Sequence, residues 1–95
     1  MDLDKEKEFY DTLKERLEKT STFPTTYLYK FIVPTEGTGV KEIESAFDDT
    51  NAIVINKLSK NGKFTSVSIS LPLDSADAII AYYKKVATVE GLISL

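Results

Sequence analysis

The chain has 95 residues, 42% of them hydrophobic and 28% charged, with a formal net charge of −3 and a pI near 4.9. That length suits one domain with a single modest core, and the ordinary apolar content excludes wholesale disorder. An acidic chain has no global attraction for nucleic acid or anionic membrane; lacking Cys and His, it has no disulfide, thiolate nucleophile, CxxC metal site or imidazole base.

From about Lys5 to Lys19 the sequence is strongly charged, and Phe9, Leu13 and Leu17 recur every four residues with Tyr10 beside them. This spacing predicts a weakly amphipathic helix with a narrow apolar stripe, with Asp2 and Asp4 near the positive end of its dipole. The opening residues are charged, without an apolar signal region, and no run nears the ~18 apolar residues of a membrane span, so a cytoplasmic location is expected. Thr20 to Thr25, with Pro24 among hydroxyl residues, reads as a linker. The chain thus divides into residues 1–22, helix and linker, and residues 23–95, a single domain.

Strand one is expected over Thr26 to Val33, with Tyr29, Phe31 and Val33 on one face and Leu28, Lys30 and Ile32 on the other. After the loop Pro34 to Gly39, Val40, Ile43 and Phe47 have the spacing of a helix with one buried face. Strand two, Ala52 to Leu58, and strand three, Phe64 to Leu71, flank Asn61-Gly62, the strongest short-range hairpin signal in the chain. In strand three Thr65, Val67, Ile69 and Leu71 alternate with Ser66, Ser68 and Ser70, which predicts aliphatic residues under the helices and serines on the open face. Pro72 is expected to end that strand, and Asp74 to cap a second helix with Ile79, Ile80, Tyr83, Val86 and Ala87 on its core side. Strand four is expected from Val89 to Leu95, with Ile93 and Leu95 inward and Leu92 and Ser94 outward.

This order predicts an α+β fold: a ferredoxin-like βαββαβ sandwich with four antiparallel strands in order 4-1-3-2, two helices on one face and an additional N-terminal helix. The hairpin register has two solutions. A two-residue turn at Asn61-Gly62 pairs Asn56 with Val67 and buries Asn56, whereas a three-residue turn with a bulge pairs Lys57 with Val67 and turns Ile53 and Ile55 inward. The second is the preferred expectation. Under either, aliphatic residues of strand two join Leu28, Ile32 and Leu92 on the open face, an area large enough to call for a cover. The N-terminal helix, through Phe9, Leu13 and Leu17, is the expected cover, with a second copy as the alternative.

Phe23-Pro24 before an aromatic strand reaching Lys30, Ser59-Lys60 followed by Gly62 to Ile69, and the ending at Leu95 resemble, in order and spacing, the small bacterial YbeD-like family. The resemblance spans roughly Phe23 to Leu95. It implies a fold similar to ACT-type regulatory domains, which bind amino acids and dimerise, and a bacterial cytosolic setting.

Chemistry-bearing patterns are sparse. Lys57, Lys60 and Lys63 occur between Thr50 and Leu73 without an acid, while Glu36 to Asp49 holds five acids and one lysine. With Lys30, these lysines are expected on one side of the molecule, receiving an acidic partner or an anionic metabolite; lysines at edges and hairpin tips also guard against aggregation. Ser66 and Ser68 are the accompanying polar contacts, without an adjacent base that would make either a nucleophile. An acylphosphatase-like reaction would need arginine in the loop after strand one, which here carries Glu36 instead. No catalytic, metal or cofactor residue is assigned and no enzyme activity is expected. The functional expectation is a regulatory or interaction module for a protein partner or small metabolite, with homodimerisation open. Weak RNA binding of the RNA-recognition-motif type is the alternative, disfavoured because Tyr29 and Phe31 face inward and strand three offers serines where stacking rings would be needed.

Overall fold

A computed structural model describes residues 3–95, with side chains from Lys5 onward, so the dipole reading of Asp2 and Asp4 lies outside the described side chains. The elements are α1 (Leu3–Thr20), β1 (Thr25–Pro34), α2 (Gly39–Ala46), β2 (Ile53–Leu58), β3 (Phe64–Leu73), α3 (Ala76–Val86) and β4 (Ile93–Ser94). The strands form one antiparallel sheet in the order β2-β3-β1-β4, which read from the β4 edge is 4-1-3-2. No helix among the described residues is long and apolar enough to cross a membrane.

The core follows from period-two alternation in the two central strands. Tyr29, Phe31 and Val33 of β1 and Val67, Ile69 and Leu71 of β3 are buried on one face. Ile43 and Phe47 meet them from the α2 side, and Ile79, Ile80 and Val86 from α3, so both helices cover the same face. The aromatic members interlock: Tyr29 lies edge-on to Tyr83, with ring centroids 4.9 Å apart, and Phe47 stacks on Tyr82 at 4.6 Å. Such pairs contribute about 0.5–1.5 kcal/mol beyond the area they bury. The buried Tyr29 hydroxyl donates to the Ile79 carbonyl at 2.7 Å, and the Tyr27 and Tyr83 hydroxyls meet at 2.8 Å.

Several boundaries and registers differ from the sequence expectations. In the β2–β3 ladder Asn56 lies opposite Val67, not Lys57 opposite Val67. This is the register of a two-residue turn, carried by a wider loop: the Ser59 N–H donates to the Phe64 carbonyl (2.8 Å), enclosing Lys60 to Lys63. Within the loop Asn61 Oδ1 accepts from the Ser59 hydroxyl and the Lys63 N–H, both at 3.0 Å, so the asparagine side chain organises the turn locally. Gly62 has φ +74, a left-handed conformation that residues with a Cβ adopt at a cost.

Ile53 and Ile55 therefore point to the open face, opposite Ser70 and Ser68. Asn56 shares the helix-side face yet is exposed, as is all of β2, because β2 is an edge strand beyond the helix layer.

β3 continues through Pro72, which pairs with Thr26, to Leu73. β2 has already ended opposite Ser70, so Pro72 lies at a local edge where its missing N–H costs no ladder bond to β2. Ser75, not Asp74, caps α3: its extended backbone lets Oγ accept from the Ala78 N–H at 3.1 Å. β4 spans two residues, and its parity is reversed. Ser94 pairs with the inward Phe31 and Ile93 with the outward Ile32, while Leu92 packs against the core.

The N-terminal helix does not cover the open face. Leu17 is buried in the main core cluster with Tyr10 and Leu13 packed partly against it, a stripe at i, i+3 and i+7, whereas Phe9 is 64% exposed. α1 lies against α3, where Lys84 Nζ sits 4.9 Å from the Tyr10 ring centre and Lys14 Nζ is 3.2 Å from Asp77 Oδ2.

Candidate functional site

The open sheet face presents the three rows that the strand registers create. Leu28, Ser70 and Ile53 lie side by side, then Lys30, Ser68 and Ile55, then Ile32, Ser66 and Lys57. β3 thus supplies a line of half-buried serines, short side chains at its centre, while β1 and β2 raise longer aliphatic and lysine side chains on either side. The walls are two strand spacings apart, about 10 Å, which is the width of one extended segment or one helix face. The result is a shallow trough with a hydroxyl floor and largely apolar walls.

Exposure of the walls is high: Leu28 is 61% exposed, Ile53 65% and Ile55 63%. Ile93 extends the apolar surface beyond Ile32 on the β4 side. Toward the hairpin the trough widens into a depression of about 610 Å³ lined by Ile32, Lys57, Leu58, Lys60, Phe64 and Ser66.

Charge follows the topology. The only ionisable side chains in the strand sequences, apart from tyrosines, are Lys30 and Lys57, one on each wall, and no strand carries a carboxylate. Of the expected lysine group, Lys30 and Lys57 flank the serine line and Lys60 lines the hairpin depression. Lys63 is exposed at the loop and does not line that depression; its carbonyl instead accepts from the Thr35 N–H at 2.9 Å, tying the hairpin to the end of β1. Ser66 Oγ is 3.4 Å from the Lys57 carbonyl, a long contact that leaves its hydroxyl free to exchange partners. Ser66 and Ser68 thus lie between the lysines as the alternation predicts. The aliphatic walls on β2 and the role of Ile93 depend on registers that sequence reasoning placed differently.

Elsewhere the chemistry is structural or repulsive to anions. The hydroxyls of the buried Tyr29 and the half-buried Tyr83 are pushed well above the ordinary tyrosine range, chiefly by removal from water, so they stay protonated and act as hydrogen-bonding groups at the core. Tyr27, Tyr29 and Phe31 are directed to the helix side, and Phe64 is the strand aromatic that faces the open side. The loop after β1 contributes to a depression of about 540 Å³ lined by Glu36, Glu42 and Glu90 together with Gly37, Gly39 and Gly91, a surface that disfavours phosphate. No cluster of three or more His, Cys, Asp or Glu side chains suited to a metal ion occurs among the described residues.

No curated protein and no solved structure matches the chain. The model of one family, described as protein of unknown function (DUF493), matches residues 18–94, from the last turn of α1 through β4, and the YbeD-like resemblance is consistent with that match. On a match over most of its length, the chain belongs to the DUF493 family.

Proposed function

We propose that this chain is a non-catalytic regulatory or interaction module whose open sheet face receives a protein segment that is apolar along its centre and carries carboxylates at its margins. The observation that carries this reading is the trough itself: Ser66, Ser68 and Ser70 between aliphatic walls, with Lys30 on one side and Lys57 on the other. Seating an apolar ridge against Leu28, Ile53 and Ile55 removes hydrocarbon from water at roughly 25 cal/mol per Å². The lysines favour acidic flanks and set orientation, while the serine hydroxyls satisfy polar groups that reach the floor. A small metabolite is a poorer fit, because ligand sites for small molecules are enclosed and this surface is shallow.

The test is differential affinity capture with the full chain. Partners retained by the wild-type protein should be lost with Lys30→Glu combined with Lys57→Glu. They should be kept with Lys41→Glu combined with Lys85→Glu, which alters the helix side, and released as salt is raised. Equal capture by the open-face variant, or equal loss with the helix-side variant, overturns the assignment.

A further inference from the structure

The serine line has a closed end. Beyond Ser70, Ser68 and Ser66, the next residue of β3 on the open face is Phe64, which lies between Pro34 of β1 and Ser59 at the start of the hairpin loop. Three short hydroxyl side chains are thus followed by an aromatic ring, 45% exposed, that rises out of the floor. The depression of about 610 Å³ lies against this ring, and its lining joins two kinds of chemistry: hydrocarbon from Ile32, Leu58 and Phe64, and the cationic side chains of Lys57 and Lys60. Neither lysine is ion-paired among the described residues, and the sequence holds no acid between Thr50 and Leu73. Ser66 shares the same lining, its hydroxyl held only by the long contact to the Lys57 carbonyl.

We infer that this depression captures the C-terminal residue of the partner chain: a large apolar side chain lies against Phe64 and Ile32, while the terminal α-carboxylate is met by Lys57 and Lys60 and accepts from the Ser66 hydroxyl. The inference rests on the reading of the trough as the seat of a protein segment, and it names the part of that segment that is recognised. The occupant follows from the pairing of hydrocarbon and positive charge in one small site. In an internal extended segment successive side chains point to opposite faces, so an acidic neighbour of an apolar anchor is directed away from the depression. Such a segment must also climb over the Phe64 ring to continue. A terminal residue meets both demands, because its carboxylate belongs to the residue whose side chain is the anchor, and no chain follows it. Capture of a terminal carboxylate is one of the recurring modes of peptide recognition.

The residues before the terminus run back along the serine line, first between Lys30 and Ile55 and then between Leu28 and Ile53. Two residues of extended chain advance about 6.8 Å, the spacing of the rows beneath them, so alternate side chains of the segment fall on successive rows. Ammonium groups suit the task, since their three donors rotate and meet a carboxylate from several directions.

The test is selection on the immobilised full chain from two displayed peptide libraries, one with free C-termini and one carrying the same random residues followed by a Gly-Ser tail. The free-ended library should be enriched in peptides ending in Phe, Leu, Ile or Met, and the tailed library should not be enriched. A selected peptide, synthesised as acid and as amide, should bind about tenfold more weakly as the amide. Lys57→Gln combined with Lys60→Gln should weaken the acid to the level of the amide and leave the amide unchanged. Lys63→Gln, which removes an equal charge that does not line the depression, should leave both within about twofold of wild type. Circular dichroism should show these variants folded, as their side chains are exposed. Enrichment from both libraries alike, equal binding of acid and amide, or an undiminished preference for the acid in the Lys57, Lys60 variant would each overturn the inference while leaving the trough as the seat of an internal segment. Enrichment from neither library also overturns it, and the trough reading is then decided by the Lys30, Lys57 capture experiment alone.

Discussion

Asn56 stands directly opposite Val67 across the β2–β3 ladder, and of the two only Val67 is buried, at 0% exposure. The pair marks where the helix layer stops. Val67 lies beneath the helices, and Asn56, one strand further out, lies beyond them. The same register sends Ile53 and Ile55 to the open face, where no element of the chain covers them among the described residues.

Stability should therefore separate sharply between two isoleucines on opposite faces. Ile69→Ala empties a fully buried site and should cost about 2–5 kcal/mol, whereas Ile55→Ala should fall within about 0.5 kcal/mol of wild type. Urea denaturation of both variants measures the difference. A large loss with Ile55→Ala would mean that the open face is packed in solution.

The hairpin loop should be sensitive at Gly62. Alanine there must adopt φ near +74, a left-handed conformation that costs about 1–2 kcal/mol. Asn61→Ala removes the acceptor of the Ser59 hydroxyl and Lys63 N–H and should cost about 1 kcal/mol, given that the loop is exposed. Both should lower the denaturation midpoint with little change in its slope.

The N-terminal helix should stabilise the fold through α3. Leu17→Ala should cost about 2 kcal/mol or more, because Leu17 is 7% exposed within the main core cluster, while Phe9→Ala should be close to neutral. Removing residues 1–20 should lower the melting temperature by uncovering the α3 surface. An unchanged melt of the truncated chain would show that the helix is dispensable to the domain.

Alkaline pH should destabilise the protein through two tyrosines, the buried Tyr29 and the half-buried Tyr83. Tyr29 and Tyr83 have their ionisation raised in the folded state above the ordinary value of 10.0, principally by burial, so the folded chain holds these protons more tightly than the unfolded chain. Their contribution to stability is complete below that ordinary value and is lost progressively as pH rises above it. Melting temperature should be insensitive to these groups from pH ~7 to ~9 and fall above pH ~10. Tyr29→Phe should flatten that fall while costing about 1 kcal/mol at neutral pH, the usual net value of a hydrogen bond such as that to the Ile79 carbonyl.

Alternation in the sequence by itself determined which side of the central strands is core. Tyr29, Phe31 and Val33, and Val67, Ile69 and Leu71, are buried as their period requires, and Lys30, Ser66 and Ser68 lie on the other face for the same reason. That information is local, since one residue along a strand reverses the direction of a side chain whatever lies elsewhere. The hairpin at Asn61-Gly62 and the apolar stripes of α2 and α3 are legible on similar grounds.

Tertiary structure alone decided the rest. The β2 register depends on how Asn61 organises its loop and on the absence of a helix above Asn56. β4 is held by two residue pairs, so its parity follows from Leu92 finding the core, not from a pattern of its own. α1 carries Leu13 and Leu17 in either setting; α3 offered them a surface beside the core, and Tyr10 completed that stripe in place of Phe9. Each of these outcomes rests on contacts between segments distant in the chain, and together they leave Lys30 and Lys57 on opposite sides of a line of serines.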